Sequence, residues 1–286
     1  MKIYNSFKVL AVLIAFSAMT VFAQQQVKLV ILHTNDTHSQ VESTEKTLAK
    51  NADMGGYARR MGLIKKIRSE EKNVLLLDAG DFLQGTPYFN FFNGHIEVDA
   101  LNRMNYTAVN LGNHEFDNGI DSLAMLLKNA KFPVVSSNYD VRNTPLKGMI
   151  KHYVIEKRGN IKIGIMSLGV NPKGLVIERN YAGMKFKDPL KVAKKLSCFL
   201  KKVKKCDLVI CLSHLGSDSA SVDVNDFNIA RKTKYIDVII GGHSHTLLEN
   251  TTTKNVNKKP VVIAQMGKSG LYLGRVDVEL ENKNNK

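Results

Sequence analysis

Hydrophobic and polar positions along the chain alternate between two rhythms. Short apolar runs of about four or five residues give way to longer stretches in which apolar residues recur every three or four, and that succession predicts an α/β architecture. Strands are predicted at Lys28–Leu32, Val74–Leu77, Thr107–Asn110, Val134–Ser136, Lys151–Glu156, Lys162–Ser167, Leu208–Leu212, Val238–Ile240, Val261–Gln265 and Leu271–Leu280. Helices are predicted at Gly56–Glu71, Ile96–Met104, Ile120–Ala130, Pro189–Lys204 and Val222–Lys232. Asp188 stands where a cap would accept from the first turn, directly before Pro189. In "EKRGNIKI", Gly159-Asn160 has the residue types of a two-residue hairpin turn. The pair Gly55-Gly56 suits a tight approach to the next helix.

The first residues break this rhythm. Lys2 and Lys8 precede an uncharged run from Val9 to Phe22, and Val21-Phe22-Ala23 offers a small-residue cleavage site. That is the pattern of a secretory leader over residues 1–23, and the run is shorter than the ~20 apolar residues of a spanning helix. The expectation is one exported domain over 24–286, periplasmic or secreted, with no transmembrane segment in the mature chain. Three cysteines, Cys198, Cys206 and Cys211, are too few for a disulfide framework, and Cys211 in "DLVICLSH" reads as a small buried hydrophobe. The net charge of +15 gathers in "KVAKKLSCFLKKVKKCD", where the lysines fit the solvated face of an amphipathic helix. No aromatic platform or nucleic-acid module accompanies them, so nucleic acid is not an expected partner. The charge raises the local concentration of small anions near the surface.

Five apolar runs end alike. "LVIL" leads into "HTNDTHS", "VLLL" into "DAGDFLQG", "TAVNL" into "GNHEFD", "LVICL" into "SHLG", and "DVII" into "GGHSHT". Ligands of open α/β sheets bind beyond the carboxyl ends of strands, so these segments are expected to converge. They carry Asp36, His38, Asp81, Asn113, His214, His243 and His245, a carboxylate, amide and imidazole set suited to borderline divalent metals. Seven donors are too many for one tetrahedral ion and suit two, with a carboxylate such as Asp81 able to bridge. Alone, Asp36 or Asn113 reads as a turn residue, and His214 as a hydrogen-bonded histidine at the core edge. Buried together they would be costly without a compensating cation. His114 and Asp117 suggest an imidazole oriented by a carboxylate, with a helix cap as the other reading of Asp117. Glu115, between them, is expected to point elsewhere. His33 is assigned to packing or support, and His95 and His152 to the surface.

In order, "LHTNDTHS", "DAGDFLQGT", "NLGNHEFD", "LSHLG" and "GGHSHT" resemble the motif series of the 5′-nucleotidase branch of the calcineurin-like metallophosphoesterases. The resemblance implies a four-layer α/β/β/α sandwich of two mixed sheets. It implies two divalent ions, zinc, manganese or similar, one held by Asp36, His38, Asp81 and His245 and the other by Asp81, Asn113, His214 and His243. It also implies a catalytic pair, His114 and Asp117, and hydrolysis of phosphate monoesters such as nucleotides. Full-length members carry a C-terminal domain that binds the nucleoside, and this sequence stops soon after the last metallophosphatase strand. A separate C-terminal-domain partner is therefore one expectation. Others are activity on 2′,3′-cyclic nucleotides or nucleotide sugars, and a non-catalytic subunit.

Overall fold

The computed structural model describes residues 26–218 and 224–281, and the expected leader lies outside them. The elements run β1 (Gln26–Thr34), α1 (Tyr57–Glu70), β2 (Val74–Asp78), α2 (Pro87–Phe92), α3 (His95–Arg103), β3 (Ala108–Asn110), α4 (Ile120–Leu127), β4 (Val134–Val135) and β5 (Tyr139–Asp140). There follow β6 (Ile150–Lys151), β7 (Val154–Arg158), β8 (Ile161–Gly169), β9 (Lys185–Phe186), α5 (Pro189–Lys202), β10 (Leu208–His214), α6 (Asp226–Lys232), β11 (Val238–Ile240), β12 (Leu247–Lys254), β13 (Pro260–Met266) and β14 (Gly274–Glu281). One sheet has the order β14-β1-β2-β3-β4-β6 and the other β12-β13-β11-β10-β8-β7. In the first, β14 is antiparallel to β1 and the remaining pairs are parallel. In the second, β8, β10, β11 and β13 are parallel, flanked by antiparallel β7 and β12. Both sheets are mixed, as expected.

Strand alternation sorts the apolar residues into layers. Leu29, Ile31, Leu75 and Leu77 of the first sheet meet Ile163, Ile165, Ile210 and Leu212 of the second in the core between the sheets. Val30, Leu32 and Leu76 point the other way, into the core under α1, α3 and α4. Val209, Cys211 and Ile239 likewise face α5 and α6. The result is four layers, α/β/β/α. Central strands buried on both faces explain why their sequences read as unbroken apolar runs.

Local chemistry sets the ends of these elements. Asp188 caps α5 by accepting from the Lys191 N–H at 3.0 Å. The buried positions Ala193, Leu196 and Leu200 give that helix one apolar stripe, and Lys194, Lys195 and Lys202 face solvent. Gly56 precedes α1 with φ +87°, and a Cβ there would lie 2.8 Å from the Ser43 nitrogen. Gly159 takes the positive φ of the β7–β8 hairpin. Asn225 caps α6, which begins at Asp226; residues 222–223 of the predicted helix lie outside the described residues. The pattern missed α2 and the strands β5, β9 and β12. It also started β14 three residues early, because Leu271–Leu273 precede the ladder.

Candidate metal centre

The five polar segments meet at the carboxyl ends of β1, β2, β3, β10 and β11, three from one sheet and two from the other. Asp36, His38 and His245 bring donor atoms within 4.8 Å of one another, and Asp81, His214 and His243 form a second such group. In the first, the Nε2 atoms of His38 and His245 stand 3.0 Å apart, and His245 Nε2 lies 3.5 Å from Asp36 Oδ1. In the second, His214 Nε2 lies 2.9 Å from Asp81 Oδ2. Only 4.0 Å separates His214 Nε2 from Asp36 Oδ1, so the groups adjoin. The sequence-predicted donors are thus brought together, and Asn113, 6% exposed, follows β3 into the same region.

Tautomer and unpaired atoms fit cations. His214 Nδ1 lies 3.0 Å from the Ala79 carbonyl, which accepts its proton and leaves Nε2 facing the site, where a bound cation would displace the Nε2 proton. The buried Asn113 Oδ1 has no hydrogen-bond partner among the described residues, and His214 Nε2 faces Asp81 Oδ2. Two clusters of carboxylate, imidazole and amide groups turned toward one another match the donor set of two divalent ions.

Charge and burial oppose one another here. Burial raises Asp36 to about 7, against the pull of His214. Burial also acts upward on Asp81, but the His214 charge and hydrogen bond override it and hold that carboxyl well below its usual range. Burial works against an imidazolium at His214, yet Asp81 and Asp36 outweigh it and raise the group to about 10. Desolvation lowers His38 and His243 to about 4, the neutral form a ligand requires. His245 is lowered by burial and then by the nearby Lys268 charge.

His114 lies on the 3-10 turn His114–Phe116, with Nδ1 2.8 Å from Asp117 Oδ2. That bond raises His114 to about 9, against the opposing effect of burial. The position before α4 is filled by Gly119, so Asp117 pairs with His114 and does not cap the helix. The His114 ring sits edge-on to His38, with centroids 5.3 Å apart.

The supporting residues were the least visible in sequence. Glu115 turns inward and accepts from the backbone N–H groups of Asp81, Phe82 and Leu83 at 2.9, 2.9 and 3.2 Å, and from that of Gly112. Asn35 donates to Asp36 Oδ2 at 2.7 Å and to the Gly267 carbonyl at 2.8 Å, and accepts from Met266 N. Gln265 holds the "GGHSHT" loop by accepting from Thr246 N and donating to the Gly242 carbonyl. Each is buried; Asn35 and Glu115 stand inside the quoted motifs and Gln265 at the end of β13, the one signal that would have found them. His33 is fully buried, and a Cβ on Gly274 would meet its ring at 2.1 Å, so it packs as expected. His95 and His152 are exposed.

Two mixed sheets with helices outside, and two adjoining carboxylate and imidazole groups at one end, define a metallophosphoesterase domain. The chain belongs to the calcineurin-like phosphoesterase family, whose sequence profile matches residues 29–247. It is 34% identical over 278 residues to the snake venom 5′-nucleotidase of Naja atra, an alignment covering 90% of this chain and 51% of that protein. It is 31% identical over 287 residues to the trifunctional nucleotide phosphoesterase protein YfkN of Bacillus subtilis (strain 168), covering 89% of this chain and 18% of that one. The crystal structure of the 5′-nucleotidase precursor from Thermus thermophilus superposes with a TM-score of 0.80 at 37% identity, covering 88% of this chain and 51% of its own. The chain spans about half the length of the 5′-nucleotidases it matches.

Proposed function

We propose that the chain is an exported hydrolase of phosphate monoesters, nucleotides among them, with two divalent cations in its site. The observation that carries this reading is the pair of adjoining donor groups next to an oriented imidazole. Asp36, His38, Asp81 and His245 would hold one cation, and Asp81, Asn113, His214 and His243 the other. When bound, such ions neutralise phosphoryl oxygens and lower the pKa of a coordinated water to about 7. Export rests on the leader pattern of residues 1–23.

The chain's own groups supply the rest. Asp117 engages His114 Nδ1, which leaves Nε2 as the atom free for substrate. A protonated imidazole there stabilises charge on a phosphoryl oxygen and can donate its proton to the departing alkoxide. Burial of Asp36, Asp81 and His214 keeps bulk water from competing for those donors. Glu115 holds the backbone of the Asp81 loop rigid, so the carboxylate is positioned before substrate arrives.

A second reading, activity on 2′,3′-cyclic nucleotides or nucleotide sugars, draws on the likeness to a trifunctional nucleotide phosphoesterase. Hydrolysis of AMP, 2′,3′-cyclic AMP and an aryl phosphate, with and without added zinc or manganese, separates the two. Asp81→Ala and His214→Ala are expected to lose at least a thousandfold in turnover, on the order of magnitude of removing one key electrostatic group, and to bind less metal by elemental analysis. Either variant keeping full activity and metal would overturn the assignment.

A further inference from the structure

Four residues, Gly267 to Gly270, form a loop after β13 that lies against the metal-binding segments without contributing to them. Its backbone is tied down on several sides. Gly267 N donates to the Thr246 carbonyl at 3.0 Å, the Gly267 carbonyl accepts from Asn35, and Ser269 N donates to the Asp36 carbonyl at 2.7 Å. Arg60 Nη2 donates to the Gly270 carbonyl at 3.2 Å. Gly267, Ser269 and Gly270 all have positive φ, which curls the loop tightly around the residue between them. That residue is Lys268. Its side chain is exposed, and it forms no ion pair among the described residues.

The loop therefore carries an uncommitted ammonium to the rim of the site. The His38 ring meets those of His114 and His245 edge-on, with centroids 5.3 and 5.1 Å apart. His245 has 37% of its side chain exposed, and Thr246 beside it accepts from the Gly267 N–H, so the loop that carries Lys268 adjoins this ring. A substrate phosphoryl group beside these rings would lie next to the loop that carries Lys268.

We propose that Lys268 is a specificity-determining residue that favours the dianionic phosphoryl group of a monoester over the monoanionic phosphate of a diester. The proposal rests on the hydrolase reading above and names its substrate class. A terminal phosphoryl group carries about −1.5 to −2 charge at pH 7, a diester about −1, and Coulomb attraction scales with that charge. A flexible lysine serves as a point charge for such an anion and needs no fixed bidentate geometry. Its ammonium offers three donors to the oxygens of such a group.

The test compares the metal-loaded wild type with Lys268→Ala, Lys268→Glu and Lys268→Arg. Inorganic phosphate binding is measured by calorimetry, and kcat/KM is measured for 4-nitrophenyl phosphate and bis(4-nitrophenyl) phosphate. Lys268→Ala is expected to weaken phosphate binding and monoester kcat/KM about tenfold, the low end of local charge effects on anion capture. Diester kcat/KM should fall only about threefold, since half the charge halves the interaction energy and leaves the square root of the tenfold effect. Lys268→Glu should lose more, and Lys268→Arg should restore most of the affinity. Unchanged phosphate binding in Lys268→Ala, or equal losses on both esters, would overturn the proposal. Wild-type protein that binds phosphate through Lys268 but hydrolyses neither ester would sink the hydrolase reading and leave the role of Lys268 standing.

Discussion

Asp36, His38, Asp81, His243 and His245 share a backbone property that composition hides: each has positive φ, between +46° and +75°. Non-glycine residues occupy that region at a cost of order 1 kcal/mol or more, and such residues cluster at functional sites. Here buried hydrogen bonds hold the conformation, among them the His243 N–H to both carboxylate oxygens of Asp36 at 3.0 Å. A second buried residue yields a pH prediction. His33 has no hydrogen-bond partner at either ring nitrogen, and burial lowers it from 6.5 to about 4. Between those values the unfolded chain takes up a proton that the folded chain refuses, so this group makes stability fall as pH falls through that window. Relative to His33→Leu, the wild type should lose about 2 kcal/mol more between pH 7 and pH 5, by urea denaturation at both pH values. Equal losses would show that His33 titrates normally.

At the scale of the element, strand ends and glycines decide what the loops can hold. A Cβ on Gly112 would sit 2.2 Å from Asp81 Oδ1 and 2.6 Å from His214 Nε2, and one on Gly242 would sit 2.8 Å from His214 Nδ1. Gly112→Ala is therefore expected to push Asp81 and His214 apart. Zinc affinity, measured by competition with a chelating dye, should fall about tenfold or more, in the range seen when a metal site's supporting groups are disturbed, while circular dichroism stays that of the wild type. Undiminished affinity would mean that the loop yields without cost. The central strands were legible because burial on both faces leaves a run such as "LVICL" no polar position. The missed strand β12 reads "LLENTTTK", and it is an edge strand whose positions alternate between exposed and half-buried, so no apolar run announces it. The donors were legible as residue types repeated after five strands. Glu115 was not, because its partners are backbone N–H groups three residues back and more than thirty away, which no side-chain pattern records.

For the molecule as a whole, the decisive fact is that neither donor group belongs to one sheet. Asp36 and His38 follow β1 while His245 follows β11; Asp81 follows β2 while His214 ends β10 and His243 follows β11. Binding an ion should accordingly stabilise the fold. With zinc or manganese at about 100 times its dissociation constant, the gain is about 2.7 kcal/mol per site, or roughly 5–10 °C in melting temperature for a domain of this size. Differential scanning calorimetry before and after EDTA treatment measures it, and Asp81→Asn should shrink the difference. A melting temperature indifferent to EDTA would contradict it. The α/β architecture was readable at this scale from alternation and the four-layer plan only from the resemblance, whereas the pairing of particular strand ends across the sandwich depends on packing between residues more than 200 positions apart, as in Asn35 with Met266.

The seam between the sheets thus has a mechanical meaning. Hydrophobic contact resists peeling the sheets apart but resists sliding poorly, since apolar attraction has no direction. Coordinate bonds are directional, and cations seated across that seam would act as rivets against shear, making the slip of one sheet over the other the motion that dismantles the centre.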